Sequence, residues 1–289
     1  MLQQQIKHTP AGPQMEMESW LHGNDSRFAI ASETKLASYK VRDAKKWLSR
    51  ELSKGPIELS IVGDFNQQEI IPELLNTFGS LPRRGSLPGY IDNLRKINFP
   101  KAPASKTFTY DTKIPQAIAI AIWKTNGLRG NQPEFRRLNI LASILGDRLR
   151  EEIREKLGAS YSPNAGADGS DALDDMGYIA AQSVGKPEDL DRLLETMRKL
   201  ADDLAKNGAT ADELDRALKP VLGILEKSLR DNGYWLDTVM SQSQADPKRL
   251  DLARNRDADY RSITLEEINA LAKKYLPRDN ALEVKILPK

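Results

Sequence analysis

Apolar residues recur at steps of three or four after Pro133: Leu138, Leu141, Leu145, Leu149, Ile153 and Leu157 draw one stripe along a helix. The opposite face is charged and locally balanced, with Glu152 and Lys156 four apart and Glu151 one turn before Arg154 and Glu155. Gly158 is the natural stop, because glycine takes the left-handed backbone of a helix end without cost. Beyond it an extended segment would point Ala159, Tyr161 and Pro163 one way and Ser160 and Ser162 the other. Arg154 in the last helical turn and Tyr161 just past the stop can therefore converge on one patch of surface.

The same patterning assigns the rest of the chain. Residues 43–52 (DAKKWLSREL) bring Ala44, Trp47, Leu48 and Leu52 to one side of a helix, Gly55-Pro56 ends it, and Ile57–Val62 alternates as a strand. A further helix over Gln67–Phe78 turns Ile70, Ile71, Leu74 and Phe78 inward. Prolines at 82, 88, 100 and 103 mark residues 84–105 as a linker or extended crossing. Thr107–Tyr110 and Gln116–Lys124 read as strands, the second with Ala117, Ala119 and Ala121 on a small face and Ile118, Ile120 and Ile122 on a bulky one. After the helix that ends at Gly158 come a strand from Tyr161, a Gly- and Asp-rich loop (GADGSDALDDMG) and a strand over Tyr178–Val184. Pro187–Asn207 is an amphipathic helix with Gly208 behind it, and Thr210 to Glu213 forms a capping box that opens another, which Pro220 is expected to bend.

A helix feeding a strand occurs twice. YKVRDAKKWL followed by IELSI has a counterpart in SITLEEINALAKKY followed by LEVKI, with Val41, Ala44 and Trp47 answering Leu265, Ile268 and Leu271. The chain thus reads as an α+β protein. It would comprise a polar tail over 1–15, the back part of a first α+β unit over 16–83, the linker, and a complete unit of the same kind over 106–289. Chance similarity of helix-turn-strand segments is the competing account of the repeat.

Composition then removes several function classes. Lys and Arg number 43 against 41 Asp and Glu, and the two signs are interleaved throughout, which leaves no electrostatic footprint for nucleic acid or an anionic membrane. The absence of cysteine excludes a disulfide framework and thiol chemistry. The longest apolar run, IPQAIAIAIW, is far shorter than a membrane span, and residues 1–20 lack the layout of a signal peptide. VGDFNQ lacks the glycine spacing of a phosphate-cradling loop.

The chemistry available to the Arg154 and Tyr161 patch is hydrogen-bond donation. A guanidinium and a phenol offer donors to a peptide carbonyl, or to the oxyanion it becomes, worth a few kcal/mol in a water-poor cleft. The plainer account pairs Arg154 with Glu151 or Glu155 and leaves Tyr161 as a surface strand residue.

IELSIVGDF and FGSLP near 57–82, RLREEIREKLGASYSP at 148–163, TADELDRA at 210–217 and NGYWL at 232–236 together resemble the M16 metallopeptidases, the pitrilysin, insulysin and mitochondrial processing peptidase family. The resemblance covers nearly everything from residue 16 onward. It implies repeated α/β sandwich units, each an antiparallel-rich sheet covered by helices, paired as two halves that close on a peptide. The family's zinc signature H-x-x-E-H is absent: the histidines are His8 and His22, each expected to be solvated or locally hydrogen-bonded. By resemblance this is therefore the zinc-free half. Arg154 and Tyr161, in R-E-K-x-G-x-x-Y, match an arginine and a tyrosine that reach the substrate carbonyl, while zinc in the partner half activates water. The implied partners are that zinc-bearing half, on the same polypeptide or a separate one, and a peptide substrate. The compartment stays open, an exported or periplasmic parent protein being compatible. A scaffold of the same fold that has lost catalysis is the alternative.

Overall fold

The structure is a computed structural model. It describes residues 6–85, 91–156, 162–244 and 246–289, with the backbone alone for residues 50, 51, 91 and 154–156. The principal helices are α1 (Ala11–Leu21), α2 (Val41–Lys54), α3 (Gln67–Thr77), α4 (Gln132–Leu149), α5 (Leu190–Asn207), α6 (Ala211–Ser228) and α7 (Leu265–Tyr275). The strands are β1 (Ala104–Tyr110), β2 (Ala117–Thr125), β3 (Asn164–Gly169), β4 (Gly177–Gly185) and β5 (Ala281–Pro288). Two compact units result, and neither is one continuous piece of sequence. Met1–Glu33, Asp92–Pro220 and Asp259–Lys289 form a sheet unit, and Thr34–Ile91 with Val221–Ala258 form a helical unit.

The sheet is mixed, in the order β1-β5-β2-β4-β3, with β1 parallel to β5 and every other pairing antiparallel. The alternation in β2 decides what covers each face. Ala117, Ala119 and Ala121 are wholly buried on the side where α4, α5 and α7 lie, since small side chains let helices approach a sheet closely. Ile120 and Ile122 point the other way, into a cluster with Met17 and Leu21 of α1, Phe108, Tyr178, Val284 and Ile286. A single N-terminal helix thus covers part of the face opposite the three-helix layer.

The helices fold where their periodicity requires. In α4 and the π-helical turns Arg150–Lys156 that follow it, Leu138, Leu141, Leu145, Leu149 and Ile153 are all fully buried. Helix α5 buries Leu190, Leu193, Leu194, Met197, Ala201 and Leu204 and ends at Gly208, whose φ of 77° suits glycine alone. Thr264 and Glu267 close a capping box at the start of α7, and Thr210 and Glu213 do the same for α6. Helix α6 runs on through Pro220 to Ser228.

Two expectations are changed. Residues 57–62 form no strand: among the described residues their backbone groups bond to no other backbone group. Alternation establishes two-faced character, but a strand needs a neighbour, and none of the described residues supplies one. Conversely, the first part of the expected Gly- and Asp-rich loop is the edge strand β3, because pairing with β4 overrides its weak propensity. Within 84–105, Ile97 and Phe99 pack on the sheet-unit cluster, and Arg95 donates to the carbonyl of Ala172 at 2.9 Å. Helix α1 falls in the sheet unit, and residues 221–258 fall with 34–91 in the helical unit.

The helical unit has little core of its own. Its buried apolar side chains among the described residues are Leu225, Tyr234 and Val239. Arg256 lies over the ring of Tyr234 at 4.9 Å, and the Glu58 carboxylate accepts from Ser243 Oγ and the Gln244 amide, both at 3.4 Å. The Arg84 guanidinium donates to the carbonyls of Leu52 and Gly55.

Candidate functional site

The end of α4 is the first candidate. Tyr161 lies outside the described residues, as do Gly158 and the side chain of Arg154, so their convergence stays an expectation. What the structure does describe is how this helix end is held. Arg148 donates to Glu213 at 2.6 and 3.0 Å, to Asp203 at 2.9 Å and to the Gly208 carbonyl at 2.9 Å. The guanidinium beside it holds the Glu213 carboxyl down at about 2. Arg148 therefore pins the last turn of α4 to the corner between α5 and α6. Two residues earlier Gly146 faces β3 so closely that a Cβ there would stand 3.2 Å from the Ala165 amide nitrogen. Both ends of the segment 150–163 are thus tied to rigid elements.

A second candidate was not anticipated. An open groove of about 600 Å³ runs along the face of the sheet between α1 and β3, lined by Gln14, Met17 and Glu18 on one side and by Ile122, Asp168 and Tyr178 on the other. The register pairs Asp168 with Tyr178 across β3 and β4, and the phenol donates to Asp168 Oδ2 at 3.0 Å. Burial, reinforced by the Glu18 and Asp168 carboxylates, pushes the Tyr178 phenol far above its usual range, so it remains a donor at every physiological pH. Burial likewise raises Glu18, against a lowering by His22. The three groups come from positions 18, 168 and 178, and no local pattern in the sequence connects them; strand register joins Asp168 to Tyr178, and the packing of α1 on the sheet brings in Glu18.

The histidines do structural work here. His22 Nδ1 donates to the Glu18 carbonyl at 2.6 Å while its ring stacks on Phe28 at 3.8 Å, and His8 Nδ1 is 3.1 Å from the Asp111 carbonyl. Since a carbonyl only accepts, each Nδ1 carries the proton. Among the described residues no group of three or more His, Cys, Asp or Glu is arranged to hold a metal ion.

With this geometry in view, the comparisons with known proteins place the chain. A family model described as the peptidase M16 inactive domain matches residues 41–221, and the chain belongs to that family. It is 22% identical over 289 residues to the chloroplastic stromal processing peptidase of Oryza sativa subsp. indica, covering 85% of this chain and 23% of that protein. It is 23% identical over 262 residues to the uncharacterized zinc protease YmxG of Bacillus subtilis, covering 88% of this chain and 59% of the relative. The chain thus spans about a quarter of the first and little over half of the second. Among solved structures, the periplasmic protease PqqL of Escherichia coli superposes with a TM-score of 0.76 at 20% identity, over 100% of this chain and 31% of PqqL. That level of identity speaks for the fold.

Proposed function

We propose that the chain is the zinc-free, substrate-clamping half of an M16-type zinc endopeptidase and cleaves nothing by itself. Arg154 and Tyr161 orient the scissile carbonyl and donate to the tetrahedral oxyanion. Zinc and a glutamate base on a partner half, carried on the same polypeptide or a separate one, activate water. The chain's own contribution is positional: it holds the peptide against the metal side, supplies two donors where charge develops, and excludes water.

One observation carries this reading. The match to the inactive domain spans α4 and the segment after it, and within it the chain has R-E-K-x-G-x-x-Y but no H-x-x-E-H. The Arg148 anchorage and the close approach at Gly146 support it, since donors that act on a transition state need a rigid base.

The test is cleavage of a quenched, unstructured peptide by this chain mixed with the polypeptide encoded immediately upstream, loaded with zinc. Activity is expected only on mixing, and Arg154→Ala should lower it by about 10²–10³-fold, the scale of losing one oxyanion donor. Tyr161→Phe should reduce turnover while leaving the melting temperature within a degree or two, as only a hydroxyl is removed. An inactive mixture of folded, zinc-loaded parts would support a scaffold role instead.

A further inference from the structure

Two carboxylates wall the groove between α1 and β3, Glu18 on the helix and Asp168 on the strand, and among the described residues no Lys or Arg lines it. The Asp168 charge adds to burial in raising Glu18 above its usual range, so the two acids oppose each other across open space. His22 Nδ1 lies 3.9 Å from Glu18 Oε2 but gives its proton to the Glu18 carbonyl. Lys124 shares the register row of Tyr178, yet its ammonium lies over the Phe99 ring at 5.9 Å and does not line the groove. A cleft edged by one sign of charge attracts the other, and a volume of about 600 Å³ is in the range of small-ligand sites.

The strand register arranges the groove's floor in three rows: Asn164 beside Gln182, Gly166 beside Ala180, and Asp168 beside Tyr178. Successive rows are two residues apart, about 7 Å, which is also the spacing of same-side side chains along an extended peptide. Gly166 carries the most information. The other glycine of β3, Gly169, is required by packing, because a Cβ there would meet the Phe135 ring at 2.7 Å. A Cβ at Gly166 would meet nothing within 4 Å, and its φ is not in the left-handed region. A strand glycine that the chain's own packing does not need leaves room for another backbone to come close. The carboxamides of Gln14, Asn164 and Gln182 offer donors and acceptors to the peptide groups of that backbone. We infer that the groove takes an extended peptide whose lysine or arginine side chain ends between Asp168 and Glu18, its stem resting on Ile122, Ala180 and Met17. A divalent metal ion fits less well, since among the described residues no three ligating side chains come together. That the peptide is a substrate rests on the proposed function; the preference for a cation does not.

The experiment is an NMR titration of the full chain with an unstructured Ser/Ala peptide carrying one central arginine, and with the same peptide carrying citrulline, which keeps the shape and removes the charge. Amide resonances of 164–169 and 178–182 should shift and saturate with the arginine peptide, and the citrulline peptide should bind at least about tenfold more weakly. Asp168→Asn and Glu18→Gln should each weaken the arginine peptide about tenfold and leave the citrulline peptide unchanged. Gly166→Leu, whose side chain enters open space in the free chain, should weaken both peptides at least about tenfold by filling the floor. Glu73→Gln, at an exposed carboxylate of the helical unit, should change neither. Equal binding of the two peptides, shifts confined to other segments, no shift with either peptide, or full binding by Gly166→Leu would overturn the inference. Arginine amide binding as tightly as the arginine peptide would overturn it too, by making the groove a small-cation site. In the zinc-loaded mixture, selective binding of the arginine peptide with cleavage of neither would sustain the subsite and remove the proposed function. Arg154-dependent cleavage of both peptides at one rate would sustain that function and remove the subsite.

Discussion

Arg148 and Glu18 place charge in the sheet unit with opposite consequences for pH. Glu213, held at about 2 by Arg148, is depressed below the usual glutamate range, so its contribution to stability is present above that range and is lost as pH falls toward 2. Glu213→Gln should therefore cost about 2 kcal/mol at pH 7 in urea denaturation, the scale of hydrogen bonds to a charged group. The difference from wild type should shrink steadily between pH 5 and pH 2. Glu18 is raised, chiefly by burial, so its ionisation opposes folding as pH rises through and above the usual glutamate range. Glu18→Gln should raise the melting temperature at pH 7 and leave it unchanged at pH 3. Little of this was legible beforehand. The pairing of Thr210 with Glu213 follows from a spacing of three, but the meeting of Arg148 with Glu213, or of Asp168 with Tyr178, depends on how distant elements pack.

At the level of elements, periodicity served well where a segment folds against the chain's own core and poorly where it does not. The stripe from Leu138 to Ile153 and the two faces of β2 were readable because period 3.6 and period 2 translate directly into burial. The second half of β3, GADG at 166–169, reads as loop because it has the residues of a turn; its strand state comes from pairing with β4, with α4 lying close above it. Gly146 is what allows that proximity. Gly146→Val should separate α4 from β3 and cost about 1–3 kcal/mol by overpacking, with broadened resonances along 164–169 as the local readout. Retained stability with unshifted β3 signals would show that the strand can move aside at no cost. Arg154 and Tyr161 were drawn from the sequence and the family resemblance, and only kinetics on an assembled enzyme bears on them directly.

Across the whole chain the two units differ in what holds them. The sheet unit has buried apolar layers on both faces of its sheet, whereas the helical unit buries three apolar side chains among the described residues. Limited proteolysis of the chain alone should therefore cut first within 34–91, leaving the sheet strands intact. Early cleavage within β2 or β4 would contradict this. The exchange of segments between units was invisible in the sequence, since a repeat shows which elements resemble each other and says nothing about which sheet a helix lies on.

The strand order has one more consequence, in time instead of space. β5, residues 281–288, sits between β1 and β2. During synthesis β1 emerges more than 170 residues before the strand that joins it to the rest. Until then β1 has no strand partner among the described residues, and the apolar residues of α1 and Phe108 have no finished surface to rest on. The nascent sheet is therefore open at its middle, not its edge, and its completion waits on the translation of its last strand, a late and long-range step of the kind that makes folding slow and a bound chaperone useful.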